Sequence, residues 1–321
     1  MKLVIQIPAW NEEQHLADAI AGLPASVEGF DEVQVLVVDD GSNDDTAGVA
    51  RRCGATVLRL PVHRGLAVAF ASGLIHAVEL GADVIVNTDA DSQYDGRDIP
   101  ELVRPIVAGE AQMVIGDRQV HTLRHFSPTK KLLQKFGSWV VRKLSRTSVR
   151  DATSGFRAIS RDAALKLHVF TRFTYTLETV LQAGEAGLKV VSVPVRVNPE
   201  VRRPSRLFAS NTGYLLRSLE SIARIVVLYN PLRIFLRIGA VPVILGLALL
   251  TRFSYFFVTA QSPAGHVQSL IVAVILIVVG VQVWVVGIVA DLIAVNRRLL
   301  EESVERQRTF ALTPPRDPAE E

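Results

Sequence analysis

Four carboxylates crowd one short stretch of the chain. Asp83, Asp89, Asp91 and Asp95 lie in or beside the segment IVNTDADSQYD, residues 85–95. The segment begins as an apolar run typical of a buried strand, so Asp89 and Asp91 can both face a crevice where that strand ends. Like charges this close repel, and a hard divalent cation would neutralise the repulsion. The pattern therefore indicates a cation site.

The predicted metal ligands are Asp89, Asp91 and the side-chain carbonyl of Gln93. Mg²⁺ or Mn²⁺ bound by one or two carboxylates normally fills its other positions with water and phosphate oxygens, so the expected partner is a diphosphate. The alternative is a solvated turn in which an aspartate caps the helix predicted at DIPELV, residues 98–103.

A second acidic pair, Asp39 and Asp40, closes the apolar run of VVDDGSNDDT. The glycine that follows permits a sharp turn, and Ser42 and Asn43 are predicted to cap the helix that begins near Asp44. Capping explains the serine and the asparagine but leaves the paired aspartates unexplained. The two aspartates therefore remain candidates for a ligand site.

Strands and helices alternate along roughly the first 200 residues. Apolar runs predict strands in KLVIQIP, VQVLVVDD, ATVLRL and DVIVNTD, and helical spacing lies between them in NEEQHLADAIAGL, DDTAGVARRC and GLAVAFASGLIHAVEL. This alternation predicts an α/β, doubly wound sheet. Ligands of such sheets bind beyond the carboxyl ends of the strands, where PAWNE, DDGSNDDT and DADSQ fall.

Two apolar segments near the C-terminus predict a membrane hairpin. Val267 to Ala290 is 24 residues without a charge, enough to cross a hydrocarbon core of ~30 Å at ~1.5 Å per residue. Ile234 to Val258 contains Arg237 and Arg252, which can reach opposite interfaces. The alternative for the pair is a buried hairpin in a protein core. Because the connecting TAQSPAGH lacks Lys and Arg while arginines flank both spans, both termini are predicted to be cytoplasmic.

The predicted organisation has four parts. They are a cytoplasmic catalytic domain at 1–205, an amphipathic juxtamembrane helix at 206–233, two transmembrane helices within 234–296 (about 234–258 and 267–293), and a partly disordered cytoplasmic tail at 297–321. The apolar run LVIQI near the N-terminus is too short for a secretory signal and is typical of a strand.

Charge is distributed unevenly along the chain. Residues 1–120 carry a net −11, residues 121–237 a net +15, and residues 238–321 a net −1. An acidic first third suits cations, and a basic middle suits phosphates or an anionic membrane surface. Within that middle, PTKKLLQKFGSWVVRKLSR has the spacing of a helix lying on an anionic leaflet, or of an ordinary amphipathic helix packed on the sheet. No nucleic-acid partner is expected.

The motifs PAWNE, VDDGS, DADSQ and DATSGFR, taken in this order, resemble the family 2, GT-A type glycosyltransferases over roughly residues 1–200. DATSGFR, RRPSRL and the membrane hairpin are similar to the polyprenyl-phosphate hexose transferases, the group of dolichol-phosphate mannose synthase and the bacterial undecaprenyl-phosphate glucosyltransferases. The resemblance implies a GT-A (Rossmann-like), mixed and mainly parallel sheet with helices on both faces. It also implies inverting, metal-dependent transfer of a hexose from a UDP- or GDP-sugar to a polyprenyl phosphate at the cytoplasmic membrane face.

Site residues follow from the same resemblance. The donor nucleotide and its sugar would be bound by Pro8, Trp10, Glu12, Asp39, Asp40, Asp89, Ala90 and Asp91. Catalytic roles would belong to Asp91, Arg118 and the acceptor-side carboxylate Asp151. The acceptor phosphate would be bound or bordered by Arg118, Glu178, Arg202, Arg203 and Arg206.

A lipid-phosphate acceptor is favoured by what the chain lacks. It has neither the Glu-Asp dipeptide common in relatives that glycosylate hydroxyls nor the Q-x-x-R-W motif of processive synthases. A phosphate with a second pKa near ~6 is largely anionic at neutral pH and scarcely needs a strong base, so Asp151 is predicted to orient groups or assist proton transfer. The alternatives are a transferase that extends a glycan or a glycolipid hydroxyl, and a non-catalytic membrane scaffold that binds sugar nucleotides.

Self-association through the membrane helices is a further hypothesis. Four glycines offer points of close approach between copies of the chain: Gly239, Gly246, Gly280 and Gly287.

Overall fold

The computed structural model describes residues 1–119, 138–139, 141–145, 147–169, 175–198, 227, 231–259 and 267–312, without the side chains of residues 298, 301, 305 and 309–312. Several predictions from the sequence fall outside these residues. They concern Arg202, Arg203, Arg206, most of the two amphipathic helices predicted at 128–146 and 206–233, and the end of the tail.

The described residues form a seven-stranded sheet. Its strands are β1 (Lys2–Ala9), β2 (Glu32–Asp39), β3 (Thr56–Arg59), β4 (Val84–Asn87), β5 (Met113–Asp117), β6 (Arg157–Ser160) and β7 (Val190–Pro194). They are ordered β3-β2-β1-β4-β6-β5-β7, and only β6 runs antiparallel to its neighbours. This confirms the mixed, mainly parallel sheet predicted from the sequence.

Helices follow most of the strands, as the alternating pattern predicts. They are α1 (Leu16–Ala21), α2 (Thr46–Arg52), α3 (Leu66–Glu79), α4 (Ile99–Val107), α5 (Arg161–Lys166), α6 (Tyr175–Glu185), α7 (Pro231–Val258) and α8 (Val267–Leu312). The first helix begins at Leu16 rather than at Asn11, where its spacing starts. The backbone N–H groups of Asn11, Glu12 and Glu13 instead donate to side chains of the loop after β2 and of Thr46 at the start of α2.

Parallel pairing brings the ends of β1, β2 and β4 to one edge of the sheet. The β1–β2 register places Ala9 beside Asp39, and the β1–β4 register places Gln6 beside Asn87. Apolar side chains of these strands pack in two buried clusters, one with α4 and one with α1 and α2. Leu3, Ile5, Ile7 and Ala9 supply both clusters from one side of β1, and α3 covers the other side of the sheet, where Gly73 lies against Gln6 and Val38. The strands are therefore fixed from both faces, and the polar segments that follow them leave the core side by side.

The chain divides into two compact units, Met1–Ser221 with Glu305–Glu321, and Ile222–Val304. The second contains α7 and most of α8. By length and composition both helices can cross a membrane, and they cover both predicted spans.

The four glycines predicted to be points of close approach lie where α7 and α8 of the same chain pack against each other. A Cβ at Gly239 would lie 2.7 Å from the Gly280 carbonyl oxygen, and one at Gly280 would lie 2.7 Å from the Gly239 oxygen. Gly246 lies equally close to the backbone of α8, and Gly287 to Phe235 of α7. These positions are therefore filled by contacts within one hairpin, and self-association through the helices stays a prediction.

Candidate functional site

The loops that follow β1 and β2 are joined by hydrogen bonds. The Asn11 N–H donates to Ser42 Oγ at 2.9 Å, and the Asn43 N–H donates to Asn11 Oδ1 at 2.9 Å. The Glu12 N–H donates to Thr46 Oγ1 at 2.9 Å. The predicted capping of α2 by Ser42 and Asn43 is therefore wrong. Because β1 and β2 are adjacent and parallel, their loops emerge together, and these polar groups bond across them.

Asp39 is fully buried at the end of β2 and keeps one oxygen free of hydrogen bonds. Its Oδ1 accepts from the Ser42 N–H at 2.9 Å. Its Oδ2 lies 3.2 Å from Arg59 Nε, an ion-pair distance, but makes no hydrogen bond. A buried acceptor of this kind suits a donor group on a ligand.

Asp40 has both oxygens occupied by the backbone. They accept from the N–H groups of Arg64 and Gly65, each at 2.8 Å, where α3 begins. Asp40 therefore holds the start of α3, and little of its hydrogen-bonding capacity remains for a nucleotide.

The other residues predicted for the nucleoside pocket differ in exposure. Trp10 is 37% exposed, and its ring stacks on His63 with centroids 4.1 Å apart. Pro8 is buried within β1, and Ala90 packs in the core with Ile7. The Trp10 ring can form a pocket wall, whereas Pro8 and Ala90 can offer only backbone.

Most carboxylates around the predicted cation site already have partners. Asp95 pairs with Arg97 at 2.7 Å, and Asp98 pairs with Arg196 at 2.6 Å. Asp83 lies at the other end of β4 from Asp89, where it accepts from the Lys2 N–H at 2.7 Å. Asp95 also accepts from the Arg97 N–H at the start of the short 3₁₀ turn Gly96–Asp98. Capping and ion pairing thus account for Asp95 and Asp98.

Asp89 and Asp91 are different. Within the described residues Asp89 makes neither a hydrogen bond nor an ion pair, and Asp91 accepts only from the Gln93 N–H at 3.0 Å. Burial, followed by the charge of Asp91, raises the pKa of Asp89 to about 7, although Arg118 opposes the shift. Burial, followed by the charge of Glu12, raises the pKa of Asp91.

Two carboxylates with so little compensation fit a hard cation. In the part of the chain that the structure describes, no three His, Cys, Asp or Glu side chains form a metal-binding group. The protein would thus supply the Asp89 and Asp91 oxygens, with the Gln93 carbonyl as the predicted third ligand. Water and a phosphate ligand would supply the rest, the usual arrangement for Mg²⁺.

Arg118 and Asp151 form a buried ion pair. Arg118 donates from Nε to Asp151 Oδ2 at 2.7 Å and from Nη2 to Oδ1 at 3.1 Å. Thr153 Oγ1 accepts from Arg118 Nη2 at 2.8 Å and donates to Asp151 Oδ1 at 2.9 Å. The structure thus brings together two predicted catalytic residues, and Arg118 acts electrostatically on Asp89.

Arg157 is a buried residue to which sequence reasoning gave no role. It donates to the carbonyls of Ser154 and Thr176 and to Thr179 Oγ1, and burial lowers its pKa. It closes the motif DATSGFR, which was the signal that could have identified it. Glu178, predicted to border the acceptor, is 2% exposed in α6 beside these contacts.

Comparison with known proteins gives a family match and several relatives. The family model described as Glycosyl transferase family 2 matches residues 4–167. The chain is 32% identical over 219 residues to an uncharacterized glycosyltransferase of Mycobacterium tuberculosis, covering 68% of this chain and 95% of that protein. It is 26% identical over 222 residues to the polyprenol monophosphomannose synthase of Mycolicibacterium smegmatis, covering 65% and 82%. It is 28% identical over 206 residues to the undecaprenyl-phosphate mannosyltransferase of Micrococcus luteus, covering 61% and 83%.

Among solved structures, the chain is similar to glucosyl-3-phosphoglycerate synthase of Mycobacterium tuberculosis in complex with phosphoglyceric acid. The TM-score is 0.51 at 24% identity, covering 69% of this chain and 79% of that one. At this level the likeness concerns the fold, and it agrees with the mixed sheet described above.

Proposed function

Because the chain belongs to glycosyl transferase family 2, we propose that it is an inverting, metal-dependent enzyme that transfers a hexose from a UDP- or GDP-sugar to a polyprenyl phosphate. The observation that carries the proposal is the pair Asp89 and Asp91 beyond the carboxyl ends of the strands, in which Asp89 has no hydrogen bond or ion pair among the described residues and interacts electrostatically with Arg118 of the Arg118–Asp151 ion pair. Inversion follows from the family resemblance.

The donor side is supported by the loops after β1, β2 and β4. Trp10 offers an aromatic wall and Asp39 Oδ2 a buried acceptor for the nucleoside. Asp89 and Asp91 would hold Mg²⁺ or Mn²⁺, with Gln93 as the third ligand. A cation held there would supply positive charge to the leaving diphosphate.

The acceptor side is supported by the Arg118–Asp151 ion pair. Both Asp151 oxygens accept hydrogen bonds from Arg118, so this carboxylate is oriented rather than free. That arrangement suits an acceptor phosphate, which is already anionic and needs little proton abstraction. Arg118 would contribute positive charge to the phosphate, with further contacts proposed for Arg202, Arg203 and Arg206. Glu178 is proposed to border the acceptor site.

The membrane location is supported by α7 and α8 and by two relatives named for polyprenol and undecaprenyl-phosphate substrates. We place the catalytic unit and both termini on the cytoplasmic side, because arginines flank the helix pair and the connecting segment lacks them. There the acidic edge can meet a soluble sugar nucleotide and a phosphate at the lipid headgroups.

The test is transfer of a labelled sugar by the purified full-length chain, with separate UDP- and GDP-sugars and a polyprenyl phosphate. We expect an organic-extractable labelled lipid that disappears with EDTA and in Asp91→Ala. Asp83→Asn is the control, since Asp83 lies at the opposite end of β4 from Asp89 and, among the described residues, its side chain accepts a hydrogen bond from the Lys2 N–H. A labelled glycan without labelled lipid would favour the hydroxyl-extending transferase. Nucleotide binding without turnover of any donor would favour the scaffold.

A further inference from the structure

Gly155 lies directly against the carboxylate of Asp89. A Cβ built at Gly155 would lie 3.1 Å from Asp89 Oδ1, 3.2 Å from Oδ2 and 3.0 Å from the Tyr175 hydroxyl. These distances are shorter than ordinary van der Waals contact, so a side chain here would have to displace a neighbour. The absence of a side chain is what allows the backbone and the carboxylate to approach.

Two buried side chains hold this backbone in place. Asn87 Nδ2 donates to the Gly155 carbonyl at 2.8 Å, and the Gly155 N–H donates to the Tyr94 hydroxyl at 3.2 Å. Asn87 is itself fixed, since its Oδ1 accepts from Gln6 Nε2 at 2.9 Å. Gly155 therefore has both backbone polar groups bonded to residues that flank Asp89 in sequence.

The segment is also fixed on either side of Gly155. Four residues earlier, Asp151 is bound to Arg118, and two residues later, Arg157 is bound to the Thr176 carbonyl at 3.2 Å and to Thr179 Oγ1 at 2.6 Å. The acceptor-side ion pair and Asp89 are thus joined by four residues of restrained chain.

We propose that the 154–156 segment is a seat that positions Asp89 for the cation, and that Asn87 and Tyr94 are the positioning residues that hold this seat. The seat couples the cation side of the site to the Arg118–Asp151 pair. The inference rests on the cation site of the proposed function, and it gives roles to Asn87, Tyr94 and Gly155, to which the sequence analysis assigned none.

The first test is Mn²⁺ binding by the full-length chain without donor, followed by electron paramagnetic resonance. Gly155→Ala introduces a methyl group against both Asp89 oxygens, and we expect Mn²⁺ affinity to fall about tenfold, as for other substitutions that disturb a ligand's support. Gly22→Ala is the control. Its added methyl group meets only the carbonyls of its own helix, at 3.5 Å and beyond, and should leave Mn²⁺ affinity unchanged.

A second variant keeps the test decisive if Gly155→Ala does not fold. Tyr94→Phe removes only the hydroxyl that accepts from Gly155 and keeps the ring stacked on Phe156 with centroids 5.0 Å apart. Loss of one hydrogen bond of ~1 kcal/mol predicts Mn²⁺ affinity reduced about fivefold. Wild-type Mn²⁺ affinity in both folded variants, or in Tyr94→Phe alone if the other fails, would overturn the seat while leaving the proposed function intact. Transfer by a wild-type chain that binds no Mn²⁺ would overturn the seat and the cation site together.

Discussion

Carboxylates in and near the proposed site differ most clearly in what they contact. Asp40 and Asp151 have both oxygens hydrogen-bonded, to two backbone N–H groups and to Arg118 respectively. Asp89 has no such contact among the described residues, and its pKa is raised to about 7. Without a cation, ionisation of Asp89 costs free energy, and a nearby cation would stabilise the charged form. Asp89 is therefore the central residue of the proposed site.

Proton and cation should compete at Asp89. Because its pKa is raised to about 7, lowering the pH through 7 protonates the carboxylate and removes a cation ligand. We expect Mn²⁺ affinity to fall as the pH drops from 8 to 6 and to level off above the pKa. Titration of Mn²⁺ at fixed ionic strength measures this, and an affinity independent of pH across that range would contradict it.

The raised pKa of Asp89 also predicts that Asp89→Asn stabilises the fold, although it replaces a partly buried native side chain. A carboxyl group whose folded pKa is raised stabilises the fold below its unfolded pKa, and this contribution is lost as the pH rises through the folded value. At pH 8 without metal, Asp89→Asn should therefore melt higher than wild type, by about 2–4 °C for each 1 kcal/mol gained. The variant should also lose the stabilisation that Mn²⁺ gives the wild type.

Asp95→Asn is the matched control for thermal unfolding. The hydrogen bond from Arg97 lowers the pKa of Asp95, so this carboxylate stabilises the fold above its unfolded pKa. Its replacement should lower the melting temperature at pH 8, opposite to Asp89→Asn. Equal signs for the two variants would refute the distinction between paired and unpaired carboxylates.

Thr153 supports the Arg118–Asp151 pair from one side. Thr153→Val removes two hydrogen bonds, and a loss of ~1 kcal/mol in the transition state would slow transfer about fivefold. Thr153→Ser keeps the hydroxyl and should transfer at nearly the wild-type rate. Single-turnover assays at saturating donor measure both, and equal rates for the two variants would argue against this support.

The register and direction of the strands decide which residues lie together at the site. The eight-residue register of β1 with β2 ends both strands at one level, and the bonds between their loops hold Trp10 next to the end of β2. The antiparallel β6 returns the chain beside β4, which brings the segment before Arg157 against Asp89. The antiparallel strand β6 therefore brings the motif DATSGFR close to Asp89 and Asp91.

In the hairpin of α7 and α8, glycines allow the two helix backbones to pack closely, and a larger side chain at these positions would separate them. Gly280→Val would place a branched side chain where a Cβ already lies 2.7 Å from the Gly239 carbonyl oxygen. We expect a lower unfolding temperature in detergent with an unchanged oligomeric state, measured by light scattering. Val285→Leu, on an exposed position of α8, is the control. A changed oligomeric state at an unchanged unfolding temperature would restore the glycines to contacts between copies.

At the scale of the whole molecule, the sidedness of the chain can be tested with its single cysteine. Cys53 is exposed in the catalytic unit. If that unit is cytoplasmic, a membrane-impermeant maleimide should label Cys53 in inverted vesicles but not in intact cells. Cys53→Ser controls for background, and labelling of intact cells would contradict the proposed orientation.

Local patterns in the sequence determined the fold class, the family and the two apolar helices. Apolar periodicity, the order of the motifs and a run of 24 uncharged residues are properties of neighbouring residues, so they can be recognised before folding. The same patterns correctly placed the acidic pairs at strand ends, because a strand boundary is also local.

Only the tertiary structure decided which of the candidate residues form ion pairs or hydrogen bonds with other residues. Arg118 lies 33 residues from Asp151, and Arg196 lies 98 residues from Asp98, yet these pairs neutralise each other. Ser42, expected as a cap, bonds instead to Asn11 across a strand pair. Partners so distant along the chain are chosen by strand order and register, which no local pattern encodes. For that reason the folded chain is needed to see that Asp89 lies beside Gly155 and that, among the described residues, it has no hydrogen bond or ion pair.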